Sequence, residues 1–216
     1  MIKILSMKPA KTGEILKTGI YAVRNCLYLI ETSGGYIMVD AGSNRKAVKQ
    51  SLMDLKIDPL NIKHILLTHT DSDHTAALSL FTDAQIYLSE DELQMINGTT
   101  KRSFILGYNT LRDKIDLDKL SLLKNNQELI FGEHTIECIK TPGHTRGSMV
   151  YLLDGQYLFT GDAFSVAGGV MLTHPFTMDE KTAEESIKNF DEVIKRSALV
   201  ITAHYGFYKA DELKIR

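Results

Sequence analysis

Ile62-Lys63-His64-Ile65-Leu66-Leu67-Thr68-His69-Thr70-Asp71-Ser72-Asp73-His74 is the stretch on which the fold turns. Its first half is a short apolar run rich in isoleucine and leucine, the composition of a buried strand. The run passes directly into a turn bearing two histidines and two aspartates. Turns at strand ends are where rigid scaffolds present chemical groups. His69, Asp71 and Asp73 are spaced by two, so such a turn can aim all three into one cavity. His74 follows at once, where a helix is expected to begin and run through Leu80.

Working outward, the chain alternates strand and helix signals. Upstream, Tyr21–Ile30 and Tyr36–Asp40 read as strands joined at the turn signal Ser33-Gly34-Gly35. Asp40 to Ser43 breaks the second strand. Asn44–Lys56 carries Ala47, Val48, Leu52 and Leu55 at helical spacing, and Pro59 closes that unit. Downstream, Gln85–Leu88 reads as a strand, and Ser89 with Glu92 three residues on marks a capped helix start. Gly98–Lys119 is polar and weakly patterned, as in an insertion or lid, partly helical around Leu111–Leu120. Strands are expected at Glu128–Phe131, Thr135–Lys140, Ser148–Leu153 and Tyr157–Thr160. A loop over Gly161–Met178, a helix over Thr182–Lys195 and a strand over Ala198–Thr202 complete the pattern. Strand pairs followed by helices, twice over, predict a single α/β layered domain over residues 1–216.

Composition narrows the function. The 216 residues are 44 % hydrophobic and 24 % charged, which fits a globular core and argues against disorder. Lys+Arg 25 against Asp+Glu 27 leaves a net charge of −2, so there is no global basic field for nucleic acid or an anionic membrane surface. No apolar run approaches the ~20 residues that span a bilayer. Met1–Thr12 lacks the apolar core of a secretory signal, and cytoplasmic residence is the expectation. Two cysteines, Cys26 and Cys138, do not make a disulfide scaffold. Both lie in strand patterns and read as buried thiols.

Four of the seven histidines fall at strand ends or in the loops just after them. Besides His69 and His74, His144 lies in Thr141-Pro142-Gly143-His144-Thr145-Arg146-Gly147-Ser148, and His204 follows Thr202-Ala203. Asp162 follows Thr160-Gly161. A catalytic divalent ion takes three or four ligands from several segments and keeps a position open for water. Imidazole and carboxylate together suit zinc, iron or manganese, and no thiolate is near enough in pattern for a structural zinc knot. Gly143 and Gly161 let the backbone approach closely.

The four segments, in this order and across roughly Tyr21–Gly206, resemble the metallo-β-lactamase superfamily. Thr68–His74 resembles its HxHxDH signature, Thr141–Ser148 its second histidine segment, Phe159-Thr160-Gly161-Asp162 the segment of its bridging aspartate, and Ile201–Gly206 that of its last histidine. The resemblance implies a four-layer αββα sandwich with two divalent ions at one edge of two sheets. It places His69, residue 71 and His144 on one ion, Asp73, His74 and His204 on the other, and Asp162 between them.

The chain departs from that signature at one position, where Asp71 stands for histidine. As a ligand, Asp71 would add a third carboxylate and make a bound water less acidic. Each ion would then face two histidines and a terminal aspartate, a set that suits iron or manganese; the flavodiiron branch also carries a carboxylate here. A shorter Asp71 that does not reach leaves one ion. Asp71 as an indirect partner or helix cap, and Asp73 as a helix cap, are the alternatives.

The resemblance implies a hydrolase in which a metal-bound hydroxide attacks a small ester, thioester or lactone, with Asp73 orienting it and moving its proton. The alternatives are a di-iron redox enzyme that reduces oxygen or nitric oxide, or oxygenates sulfur, with a separate electron donor, and a non-enzymatic metal or ligand sensor. His174 and Tyr205 are expected at the substrate cleft. Its rim is expected from Gly98–Leu120 and Gly168–Phe176, which offer Phe104, Ile105, Tyr108, Met171, Leu172 and Phe176. With ten residues after Gly206, no C-terminal extension of the kind that holds glutathione in glyoxalase II is expected. Thr68 is expected to steady the turn, Arg146 to be solvated or to meet an anion, and His64 and His134 to lie at the surface or a strand edge. The sequence carries no signal for an oligomeric state.

Overall fold

The structure, a computed structural model, describes residues 20–23, 27–102 and 116–215. Two six-stranded sheets dominate. The first holds β1 (Ile20–Val23), β2 (Leu27–Thr32), β3 (Gly35–Val39), β4 (Ile62–Leu66), β5 (Gln85–Ser89) and β6 (Leu120–Leu123), in that order. β1 to β3 are antiparallel neighbours, and β3 to β6 run parallel. The second sheet begins with β7 (Gln127–Phe131), β8 (His134–Lys140), β9 (Met149–Leu153) and β10 (Tyr157–Gly161), each antiparallel to the last. A small sheet follows from β11 (Ser165–Ala167) and β12 (Val170–Leu172). β13 (Leu199–Thr202) then returns parallel to β10, with β14 (Gly206–Tyr208) antiparallel at the edge. β15 (Lys214–Ile215) joins the small sheet beside β12.

The layers follow from which side chains each strand buries. Leu27, Leu29, Met38 and Ile65 face Val48 and Leu52 of α1 (Arg45–Asp54) and Ile96 of α3 (Glu90–Ile96). The alternate residues Tyr28, Ile30, Ile37 and Val39 face Ile136, Tyr151, Leu153 and Phe159 of the second sheet. Val150, Leu152 and Leu158, on that sheet's far side, meet Ile187 of α4 (Glu180–Asn189) and Ile194 of α5 (Asp191–Arg196). The stack is therefore αββα, and strands covered on both faces read as continuous apolar runs. Each fully buried large side chain contributes about 1.5–3 kcal/mol.

Several expected boundaries move. Tyr21–Ile30 is two antiparallel strands rather than one. Leu120 opens a strand rather than closing a helix, and Gly161–Met178 contains the β11–β12 hairpin. The helix expected over Thr182–Lys195 is broken at Phe190, whose ring turns inward against Phe164. After the motif, α2 spans only Ser72–Thr75, because the backbone there bonds across to another loop. Ala41 N–H donates to the His74 carbonyl (2.6 Å), and Ala76 N–H donates to that of Gly42 (2.9 Å). Phe104, Ile105, Tyr108, Cys26 and most of the expected lid lie outside the described residues. Met171 is buried in the core beneath α4 and not on a cleft rim. His134 is likewise buried rather than superficial, its Nδ1 2.7 Å from Asp154. Cys138 is buried, which pushes its thiol up to about 12.

Candidate metal centre

The C-terminal ends of β3, β4, β8, β10 and β13 lie at one edge of the sandwich and carry the polar loops. Asp40 ends β3 in a left-handed conformation, φ 58°, and is buried. Its carboxylate accepts from Thr68 N–H (2.8 Å) and from Thr68 Oγ1 (2.8 Å), and its Oδ2 lies 2.8 Å from His74 Nδ1. With its hydrogen given to Asp40, Thr68 Oγ1 accepts from His69 Nδ1 at 3.0 Å. One carboxylate and one hydroxyl thus hold both imidazoles by Nδ1 and turn each Nε2 toward the same space, as outer partners of metal-binding histidines do. Both Nε2 atoms are buried, with no hydrogen-bond partner among the described residues.

The second sheet supplies the rest. Gly161 ends β10 at φ 51°, and a Cβ there would lie 2.4 Å from Thr68 Oγ1. Only glycine lets the two strand ends close on each other and deliver Asp162. Gly143, at φ 143°, packs so closely on α4 that a Cβ would lie 2.4 Å from Ala183 Cα, and His144 follows it. The His144 loop is tied to the His69 turn through Glu92, which is fully buried on α3. Glu92 accepts from Thr70 Oγ1 (2.6 Å), from Gly147 N–H (3.2 Å) and from Thr145 Oγ1. His174 Nδ1 donates to the Pro175 carbonyl at 2.8 Å, which leaves its buried Nε2 unpartnered 3.6 Å from Asp162 Oδ2.

Three groups of potential ligands result: Asp73, His74, Asp162 and His204; His69, Asp71 and His144; and His144, Asp162 and His174. In the first group His204 Nε2 lies 3.3 Å from Asp73 Oδ2 and 3.3 Å from Asp162 Oδ1. His74 Nε2 lies 3.7 Å from Asp73 Oδ2 and 3.5 Å from Asp162 Oδ2. Four ligands around a tetrahedral ion with bonds of about 2.0–2.1 Å stand roughly 3.3 Å apart. This group therefore fits a divalent ion. In the second group, Arg102 Nε donates to Asp71 Oδ1 (2.6 Å) and Nη2 to Oδ2 (2.8 Å), while Nη2 also lies 3.0 Å from His144 Nε2. Asp71 sits at the N-cap of α2, yet its side chain makes no cap bond there.

The electrostatics follow from this crowding. Burial pushes Asp162 up, but His74 and His204 outweigh it and hold the carboxyl well below its ordinary range. Burial likewise opposes ionisation of Asp73, and His204 and His74 bring it to about 2. Asp71 is also lowered against burial, by His144, His69 and Arg102. Burial brings His144 down to about 4, which leaves its imidazole neutral. His74 moves up despite burial, facing Asp162 and Asp40.

All seven residues expected to ligate are brought together, and His174 joins them. Tyr205 packs partly into the core between the second sheet and α4 and α5, its ring centroid 5.6 Å from that of His174. Arg146 is exposed. Sequence reasoning missed three residues. Asp40 ends a strand, the same signal that singled out the others. Glu92 read only as a helix cap, and Ser89 does cap Glu92 N–H. Arg102 carried no local signal.

Residues 25–204 match the family model described as the metallo-beta-lactamase superfamily. The chain belongs to this superfamily. It is 32 % identical over 191 residues to the metallo-beta-lactamase fold-containing protein ST1585 of Sulfurisphaera tokodaii, covering 79 % of this chain and 68 % of that protein. The crystal structure of ST1585 superposes with a TM-score of 0.61 at 26 % identity, covering 86 % of this chain and 76 % of that one. The probable polyketide biosynthesis zinc-dependent hydrolase PksB of Bacillus subtilis is 28 % identical, over 71 % of this chain and 61 % of its own length. A hydroxyacylglutathione hydrolase of Bartonella henselae is 32 % identical, over 64 % of this chain and 47 % of its own length. The superfamily's members bind divalent metals, often zinc, and its named relatives include metallohydrolases. Among the described residues no helix is long and apolar enough to cross a membrane.

Proposed function

We infer that this protein is a metal-dependent hydrolase of small acyl substrates, an ester, thioester or lactone. The observation that carries it is the convergence of Asp73, His74, Asp162 and His204 at ligand spacing, with the His74 Nε2 buried and unpartnered. Asp73, His74, Asp162 and His204 would hold a divalent ion, which would supply an acidified water and polarise the scissile carbonyl. The residues do the remainder. Asp40 and Thr68 fix the tautomers of His74 and His69. Asp162, 4 % exposed, is shielded, whereas the Asp73 side chain is 40 % exposed. Asp73 is the carboxylate placed to take a proton from the attacking water and pass it to solvent. His174 borders the group, its ring centroid 5.7 Å from that of His204. The zinc-dependent and hydroxyacylglutathione-hydrolysing relatives support the acyl class. The di-iron alternative drew on Asp71 as a ligand, and the guanidinium on both its oxygens removes that geometric support.

The test is metal content together with turnover on ester, thioester and lactone panels. The native chain is expected to carry zinc and to hydrolyse at least one acyl class. His74→Ala is expected to lose the ion and at least 10²-fold in kcat/KM while keeping its circular dichroism. A His74→Ala variant with full turnover, or a native chain that binds no divalent ion, refutes the assignment.

A further inference from the structure

We propose that Arg102 takes the place of a first-site ion, so that this chain works with one divalent ion beside a fixed guanidinium. This rests on the ion inferred at Asp73, His74, Asp162 and His204. In the other group, the donors are already spent. Both oxygens of Asp71 accept from one guanidinium in the forked geometry of an arginine–carboxylate pair, at 2.6 and 2.8 Å. The same Nη2 lies 3.0 Å from His144 Nε2. A neutral imidazole nitrogen has one lone pair, and given to Nη2 it is not available to an ion. Of the three donors in that group only His69 Nε2 is left uncommitted.

Charge points the same way. Arg102 is 3 % exposed and carries a guanidinium. It brings to the site one positive charge where a first ion would bring two, and Asp71 neutralises it. A second divalent ion would face this cation at close range. A histidine at position 71 would offer no counter-charge, so the departure from HxHxDH and the buried arginine form one matched device. Among the described residues the buried Nη1 has no hydrogen-bond partner. It leaves the guanidinium one nitrogen for an oxygen of the substrate.

The experiment is zinc per chain by mass spectrometry after loading with excess zinc and desalting. The native chain is expected to hold about one zinc. Arg102→Ala, which frees His144 Nε2 and both Asp71 oxygens, is expected to hold about two. Arg102→Met, which keeps much of the volume but removes the charge and every donor, is expected to hold about two as well, and it decides the matter if Arg102→Ala does not fold. A native chain with about two zinc ions overturns the inference and leaves the hydrolase assignment standing. So does a folded variant of either kind that stays at one. A native chain with none overturns both.

Discussion

At the residue scale, the centre is a set of side chains whose protonation is set by neighbours. The guanidinium of Arg102 is the strongest case. Two like charges 4 Å apart at an effective dielectric of ~20 repel by about 4 kcal/mol, and a divalent ion doubles that to roughly 8 kcal/mol. Asp71 offsets much of that repulsion, so what closes the site to an ion is chiefly the occupation of its donors by the guanidinium. His144 gives a pH signature. Burial lowers its pKa from 6.5 to about 4, so between those values the unfolded chain binds more protons than the folded one. Stability contributed by the neutral imidazole is present above pH 6.5 and is lost as pH falls toward 4. In metal-free protein, the urea midpoint of the native chain is expected to drop further between pH 7 and pH 4.5 than that of His144→Gln. The excess should be about 2–3 kcal/mol at most. Equal drops would mean that His144 titrates normally. His74 moves in the opposite direction, which is why the comparison is with the single variant and not with absolute stability.

At the element scale, loops at strand ends are what the sequence made legible. His69, His74, His144, Asp162 and His204 each follow an apolar strand, and a strand that ends in polar residues announces its loop. Asp40 obeys the same rule, yet its left-handed φ and its bonds to Thr68 and His74 emerge only when β3 and β4 lie side by side. Glu92 sits where a capped helix was expected, but its bonds to Thr70 and Thr145 span 22 and 53 residues. Arg102 reaches Asp71 across 31 residues with no periodicity to betray it. The β11–β12 hairpin escaped notice because its three-residue strands are too short for an alternating pattern. Gly161 is the element-level hinge of the centre. Gly161→Ala would place a methyl 2.4 Å from Thr68 Oγ1 in a left-handed backbone. It is expected to cost more than about 2 kcal/mol and to weaken ion binding. Thermal melts and zinc titration check this; an alanine variant with native melting and native affinity would show that β10 and β4 can separate freely.

At the scale of the whole molecule, strand pairs followed by helices made a layered α/β domain legible, and the four-layer stack followed from the resemblance to the superfamily. The parallel and antiparallel pairings were not legible, since register depends on contacts between distant strands. The proposed ion joins the two sheets, with Asp73 and His74 from the end of β4 and Asp162 and His204 from the ends of β10 and β13. Anything that binds only the folded state stabilises it by RT ln(1 + [L]/Kd), about 4 kcal/mol at a thousandfold excess over Kd. Chelation is expected to lower the melting temperature by several degrees, and added zinc to restore it. A melting curve indifferent to chelator would mean that the sheets do not share an ion. That shared origin also orders events in time. His204 stands 130 residues after His74, so a ribosome must release nearly the whole sandwich before the last ligand exists. The full ligand set of the proposed ion therefore comes together only as β13 pairs with β10, among the last pairings the chain can make.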